Sequence, residues 1–289
     1  MRLKEAGNLL AASGFVPVAS DQRPGTARRL ALAGAKRIVL KVGTSTLSHP
    51  SGELNLGVIE HLAREISDLH SQGRQVLLVT SGAVGAGMGR LGRKTRTRDL
   101  AEKQALAAVG QGVLMHIYEK FFSEYGKVVA QVLLTREDFE HAPRAANCRN
   151  TLDKLLGWRV IPVINENDTV AVEEIQLGDN DTLSARVAVL VEADLLIILS
   201  DIDGLYTADP RLDPAARRLD WVDLSQLPGI KAGGSGSALG TGGMQTKLTA
   251  ARIALSANVP MVLAGGGHPG VIHEIMAGKQ VGTLFTATL

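Results

Sequence analysis

Six runs along the chain are continuously apolar rather than alternating: Arg37–Val42, Gln75–Thr80, Val128–Leu134, Val160–Asn165, Leu195–Ser200 and Met261–Ala264. Short Val/Ile/Leu-rich runs of this kind read as strands buried on both faces, the habit of parallel sheets. Helical patterns lie between them, near Leu56–Ser71, Glu102–Glu124, Asn150–Leu156, Thr182–Glu192, Met244–Ala257 and Val271–Ala277. The alternation predicts an α/β protein, a three-layer αβα sandwich around a mainly parallel open sheet. A pair of short strands is expected around Arg217–Val222. No repeat and no Pro/Ser-rich linker interrupts the chain after Ala35. Residues 36–289 are therefore expected to form one domain, and residues 1–35 a partly ordered extension.

Composition narrows the picture. The chain has 289 residues, 45% of them hydrophobic and 21% charged, ample for a sizeable core. Aromatic residues are only 3%, so aliphatic side chains must build that core and base stacking is a poor prospect. The formal charge of +2 favours no class of partner, and no nucleic acid is expected. Cys148 is the one cysteine, which excludes an internal disulfide and fits a reducing compartment. Asn147 and Asn150 beside it offer no base, so it reads as a partly buried structural thiol. No apolar run has the length of a membrane span. The first 35 residues hold Glu5 and Asp21 and lack a sustained basic face, which argues against a transit peptide and for a cytoplasmic location.

The chemistry is concentrated in loops. Gly240-Thr241-Gly242-Gly243-Met244-Gln245-Thr246-Lys247 is a glycine-rich turn leading into a helix. Its backbone N–H groups, the helix N-terminus and Lys247 together suit a polyanion such as the phosphates of a nucleotide. The spacing is not that of a P-loop. Five further polar clusters follow strand ends or precede a helix: Lys41–Ser45, Thr80–Gly87, Asn165–Asp168, Gly178–Asp181 and Ser200-Asp201. Ligands of open α/β sheets collect at the carboxyl ends of the strands. Each cluster alone also reads as a turn or a helix cap; their shared edge is what turns alone do not explain. Gly87-Met88-Gly89-Arg90-Leu91-Gly92 matches a dinucleotide fingerprint by letter. A basic run, Arg93–Arg98, follows it instead of a helix, so it reads as a mobile loop, Gly89–Asp99.

Two lysines, glycine-rich turns and acids suit phosphoryl transfer, which is mostly positioning and charge stabilisation. Magnesium would ride in on the nucleotide, and no protein metal site is expected. None of the seven histidines lies in these loops, so no general base is offered. A carboxylate acceptor needs none, being ionised near neutral pH.

The motifs together resemble the amino acid kinase family, from about Arg37 to Ala287. Lys41-Val42-Gly43-Thr44-Ser45 and the Gly240–Lys247 segment are similar to marks of the whole family. Val79–Val84, Asn165–Asp168, Gly178–Asp181 and Ser200–Pro210 are similar to its glutamate-phosphorylating branch. The resemblance implies ATP and L-glutamate as substrates, γ-glutamyl phosphate as product and the first step of proline synthesis as setting. It also implies proline as feedback inhibitor, a homodimer or homotetramer, and a glutamyl phosphate reductase as neighbour. Carried over by motif, Lys41 and Lys247 would contact the moving phosphate and Asp181 would organise both. Ser81, Asp168 and Asn180 would bind glutamate. Lys41, Ser200, Asp201, Thr241, Gly242, Gly243, Met244, Gln245, Thr246 and Lys247 would line the ATP site. The sequence stops at Leu289, so the PUA domain of many bacterial members is expected to be absent. Two alternatives stay open: a catalytically silent nucleotide or amino-acid sensor on this fold, and another acceptor of the family such as acetylglutamate. Keeping both Lys41 and Lys247 favours an enzyme over a sensor.

Overall fold

A computed structural model describes residues 25–49, 51–93, 95, 97, 99–170, 180–229 and 243–287. Among them eight strands make one sheet: β1 Arg37–Val42, β2 Gln75–Thr80, β3 Val129–Leu134, β4 Ile161–Glu166, β5 Leu195–Ser200, β6 Trp221–Asp223, β7 Met261–Gly265 and β8 Thr283–Thr286. Their order is β3-β4-β2-β1-β5-β7-β8-β6. Pairing is parallel from β3 to β7; β8 turns antiparallel to β7 and carries β6 parallel to itself. The described helices are α1 Thr26–Ala31, α2 Thr44–Leu47, α3 Leu56–Ser71, α4 Ala83–Arg90, α5 Leu100–Glu124, α6 Glu137–Glu140, α7 Ala142–Gly157, α8 Asn180–Leu190, α9 Met244–Ser256 and α10 Val271–Met276.

Successive side chains of a strand point to opposite faces, and the two faces build two cores. Ile38, Leu40 and Val42 of β1 join Val76 and Leu78 of β2 under α3, α5 and α10. Val39, Leu77 and Val79 join Leu196 and Ile198 under α7, α8 and α9. Strands β4 and β5 are buried along their whole length, as their unbroken apolar runs require. Two helices start where a side chain takes over an orphan N–H. Asn55 accepts from Val58 N at 3.2 Å before α3, and Asp99 accepts from Glu102 N at 2.9 Å before α5.

Helices α4 and α5 touch backbone to backbone. A Cβ on Gly87 would stand 2.0 Å from the Leu106 carbonyl oxygen, and one on Gly110 would stand 1.7 Å from that of Ala83. Only glycine fits either position. The six predicted strands and the layered architecture are found. The glycine-rich run after Ser81 is a helix rather than a turn, and Gly89 and Arg90 end α4 instead of opening a loop. Arg93 ion-pairs with Glu102 beyond it. Helix α7 starts eight residues before the predicted Asn150, since its first half is exposed and carries no apolar period. The pair of strands expected near Arg217 is one strand, β6, plus a Tyr206–Arg218 bridge. Strand β8, absent from the six apolar runs, is only four residues long.

Residues 25–35 pack onto this domain. The Arg29 side chain, 3% exposed, donates from Nη1 to the carbonyls of Lys279 and Val281, and from Nη2 to those of Asp220 and Gly282, at 2.7–3.3 Å. Arg28 lies over the Trp221 ring and donates to Thr286 Oγ1 at 2.6 Å. Leu32 and Ala35 enter the first core.

Candidate active site

Lys41, the penultimate residue of β1, has the same parity as Val39, so its side chain points into the layer of α8 and α9. Asp181 lies in the first turn of α8 and Lys247 in that of α9. Register and layer thus send three charged groups to one point. Lys41 Nζ is 2.5 Å from Asp181 Oδ1, and Lys247 Nζ is 3.2 Å from Oδ2. Thr246 Oγ1 lies 2.8 Å from Asp181 Oδ2 and 2.8 Å from the Gly243 carbonyl. Its single hydrogen favours the carboxylate, the stronger acceptor.

All three charges are buried: Lys41 is 6% exposed, Lys247 5% and Asp181 1%. Burial alone would raise the Asp181 carboxyl, but Lys41 and Lys247 outweigh it and hold the group well below the usual carboxylate range. Among the described residues two ammonium groups share this one carboxylate, an excess of positive charge. Lys247 moreover stands at the positive end of a helix dipole, where a cation is unfavourable on local grounds. Such a centre is built for an anion.

A polar network lies beside it. Asn180 Nδ2 is within 2.7 Å of the Thr80 carbonyl, 2.8 Å of Ser81 Oγ and 3.0 Å of Asn165 Oδ1. Asn165 Nδ2 donates to Gln111 Oε1 at 2.8 Å, and Thr80 Oγ1 meets Tyr118 OH at 2.7 Å. Asp168, two residues past β4, has its carboxyl pushed up to about 6 by burial. Ser200 and Asp201 close β5, with Ser200 Oγ 3.0 Å from Asp201 Oδ1. Gly243 precedes α9; Met244, Gln245 and Thr246 form its first turn. Thr241 and Gly242 lie outside the described residues, as do Gly178 and Asp179.

The structure therefore brings Lys41, Asp181, Thr246 and Lys247 into contact, and joins Ser81 to Asn180. Ser200 and Asp201 sit at the same carboxyl edge, where β1 and β5 are neighbours and the chain leaves them in opposite directions across the sheet. Sequence reading did not single out Gln111, Asn165 or Tyr118 as site residues. Nor did it place Thr246 on Asp181. Asn180 and Asp181 lie within the first turn of α8, where an acid suits the helix dipole. Cys148 packs half-buried against the second core, and burial pushes its thiol up to about 11, which keeps it unreactive. No three His, Cys, Asp or Glu side chains gather as a metal site among the described residues, nor is any described helix long and apolar enough to cross a membrane.

A buried lysine pair bridged by one aspartate at the carboxyl edge of this sheet coincides with a family match. The profile of the amino acid kinase family covers residues 36–265. The chain belongs to the amino acid kinase family. Within it the chain groups with proteins called glutamate 5-kinase. That of Symbiobacterium thermophilum is 60% identical, over 88% of this chain and 97% of its own length. That of Clostridium tetani is 53% identical over 90% and 98%. That of Moorella thermoacetica is 57% identical over 89% of this chain and 68% of its own. Among solved structures, UMP kinase from Bacillus anthracis has a TM-score of 0.58 at 19% identity, over 87% of this chain and 96% of that one. At that identity the likeness is one of fold. The amino acid kinase assignment makes ATP the phosphoryl donor.

Proposed function

We propose that the chain transfers the γ-phosphoryl group of ATP to the γ-carboxylate of L-glutamate, giving γ-glutamyl phosphate and ADP. The observation that carries this is the buried Lys41–Asp181–Lys247 centre. Its two ammonium groups stabilise charge on the moving phosphoryl and on the leaving diphosphate, and Asp181 keeps both in place. The first turn of α9, with Gly243 before it, holds the nucleotide phosphates together with Thr241 and Gly242; Ser200 and Asp201 line the same site. Mg²⁺ enters on those phosphates and shields their charge. The acceptor carboxylate is already ionised, so no base is needed.

Ser81, Asn180 and Asp168 hold glutamate, with Asp168 against its ammonium. A cation beside Asp168 draws its raised carboxyl back to the ionised form. Two results follow. Asp168→Ala raises KM for glutamate about 30- to 100-fold, the worth of a charged hydrogen bond, and leaves KM for ATP within about twofold. Below pH about 6 the free protein carries Asp168 protonated, so kcat/KM for glutamate falls as pH drops while ATP binding does not follow. Equal effects on both substrates would show that Asp168 only shapes its loop.

The decisive assay is ADP release with L-glutamate, aspartate, acetylglutamate and UMP side by side. Turnover with L-glutamate alone is expected. None with any acceptor would leave a sensor. Proline shares the α-carboxylate and cationic nitrogen of glutamate and competes for the same pocket, so rising glutamate should relieve its inhibition; a purely noncompetitive pattern would place proline elsewhere. The enzyme works as a homodimer or homotetramer in the cytoplasm, and its labile acyl phosphate calls for a nearby glutamyl phosphate reductase. The kinase domain is taken as residues 36–289, with residues 25–35 packed against it and Leu32 and Ala35 in its first core.

A further inference from the structure

We propose that Gln111, on α5, is a positioning residue for the glutamate pocket, acting through Asn165 on Asn180. This rests on the reading that Ser81, Asp168 and Asn180 hold glutamate.

Two backbone groups fix the sense of the network. The Thr80 carbonyl can only accept, so the Asn180 atom 2.7 Å from it is the amide nitrogen. The Glu166 N–H can only donate, so the Asn165 atom it meets at 2.9 Å is Oδ1. Asn165 must then turn its Nδ2 the other way, and Gln111 Oε1 is what receives it, at 2.8 Å. No amide in this chain can flip without setting like against like. Two atoms are left over: Asn180 Oδ1 and Gln111 Nε2 are buried and take no partner among the described residues. Asn180 Oδ1 is an acceptor of fixed direction beside Ser81, suited to a donor on the amino-acid substrate.

Asn180 Nδ2 carries two hydrogens and faces three acceptors, so its aim depends on where Asn165 Oδ1 sits. Asn165, 2% exposed, has its remaining donor satisfied by Gln111. Without that oxygen a buried amide hydrogen is stranded, and Asn165 turns to satisfy it. Gln111 reaches this point because its neighbour Gly110 lets α5 rest against the Ala83 carbonyl, two residues after Ser81. It links the α5 layer to the α8 layer across the edge of the sheet.

The test is steady-state kinetics of Gln111→Leu, Gln111→Glu and Asn180→Ala, each with its thermal midpoint. Gln111→Leu is expected to raise KM for L-glutamate about tenfold, the worth of one well-aimed hydrogen bond, with kcat and KM for ATP within about twofold. Gln111→Glu keeps an oxygen facing Asn165 and should bring KM back to within about threefold of the parent. In Gln111→Leu/Asn180→Ala the two losses should not multiply. An unchanged glutamate KM in Gln111→Leu, or equal rises in both substrate KM values, overturns the proposal in favour of packing. Gln111→Ala, which leaves room for a water, is read the same way if the leucine variant does not fold; failure of both to fold also overturns it. Asn180→Ala separates the two levels: if it leaves the glutamate KM unchanged, the pocket reading itself fails.

Discussion

Lys247→Ala lowers kcat by about 10²- to 10³-fold, the usual cost of deleting one preorganised group that meets charge developing in the transition state. Its thermal midpoint should stay within a few degrees. The reason lies in the centre itself, where two buried ammonium groups share the Asp181 carboxylate. Removing Lys247 leaves Lys41 and Asp181 paired at 2.5 Å, so the aspartate keeps a cation beside it. A residue held for stability would show the reverse pattern, with a fallen midpoint and kinetics that follow the folded fraction. Lys41→Ala should cost a similar factor. The double variant should lose little more than either single one, because the two lysines act on one phosphoryl group. Independent, multiplying losses would mean that they serve different steps.

Asp181→Asn has the opposite signature and is expected to destabilise by about 3–5 kcal/mol, the penalty for breaking a buried ion pair from one side. Lys41 and Lys247, 6% and 5% exposed, would then lose the carboxylate they share. For a domain of this size that is roughly a 10 °C fall in midpoint. Adding Lys41→Met should recover part of the loss, since one stranded charge goes with it. The pH dependence has a definite sign. Lys41 and Lys247 hold the Asp181 carboxyl below its ordinary value against the pull of burial, so its contribution is complete above the ordinary carboxylate range near 4. That contribution is lost only as pH falls well below that range. An Asp181→Asn protein as stable as the parent at pH 7 would show that Asp181 is not what balances the two lysines.

Much of this was legible in the sequence for one physical reason: strands buried on both faces write themselves as unbroken apolar runs. Lys41, closing such a run, and Lys247, after a glycine turn, stood out because a charge is costly there. That they meet on Asp181 needed the strand parity of Lys41 and the layer of α8 and α9, which no local pattern holds. Gln111 was invisible. It sits among Ala107, Val109 and Leu114 on a helix apolar around most of its girth, where nothing in the spacing separates a buried amide from a solvated one. The Gly87–Gly110 contact was hidden likewise, since glycines in a helix read first as breakers. Helix α7 was found only from its apolar second half. Strand β8 was too short to register.

Arg29 ties the order of synthesis to the order of folding. Its four carbonyl partners come 191–253 residues later in the chain. A ribosome adding roughly 5–20 residues per second delivers the last of them some 10–50 s after the arginine. Until then the guanidinium has the Asp220 carbonyl at most, and not the other three. Helix α1, though made early, is thus among the last to settle, and a nascent chain stalled before Lys279 should leave it open to protease while β1 and β2 are already paired.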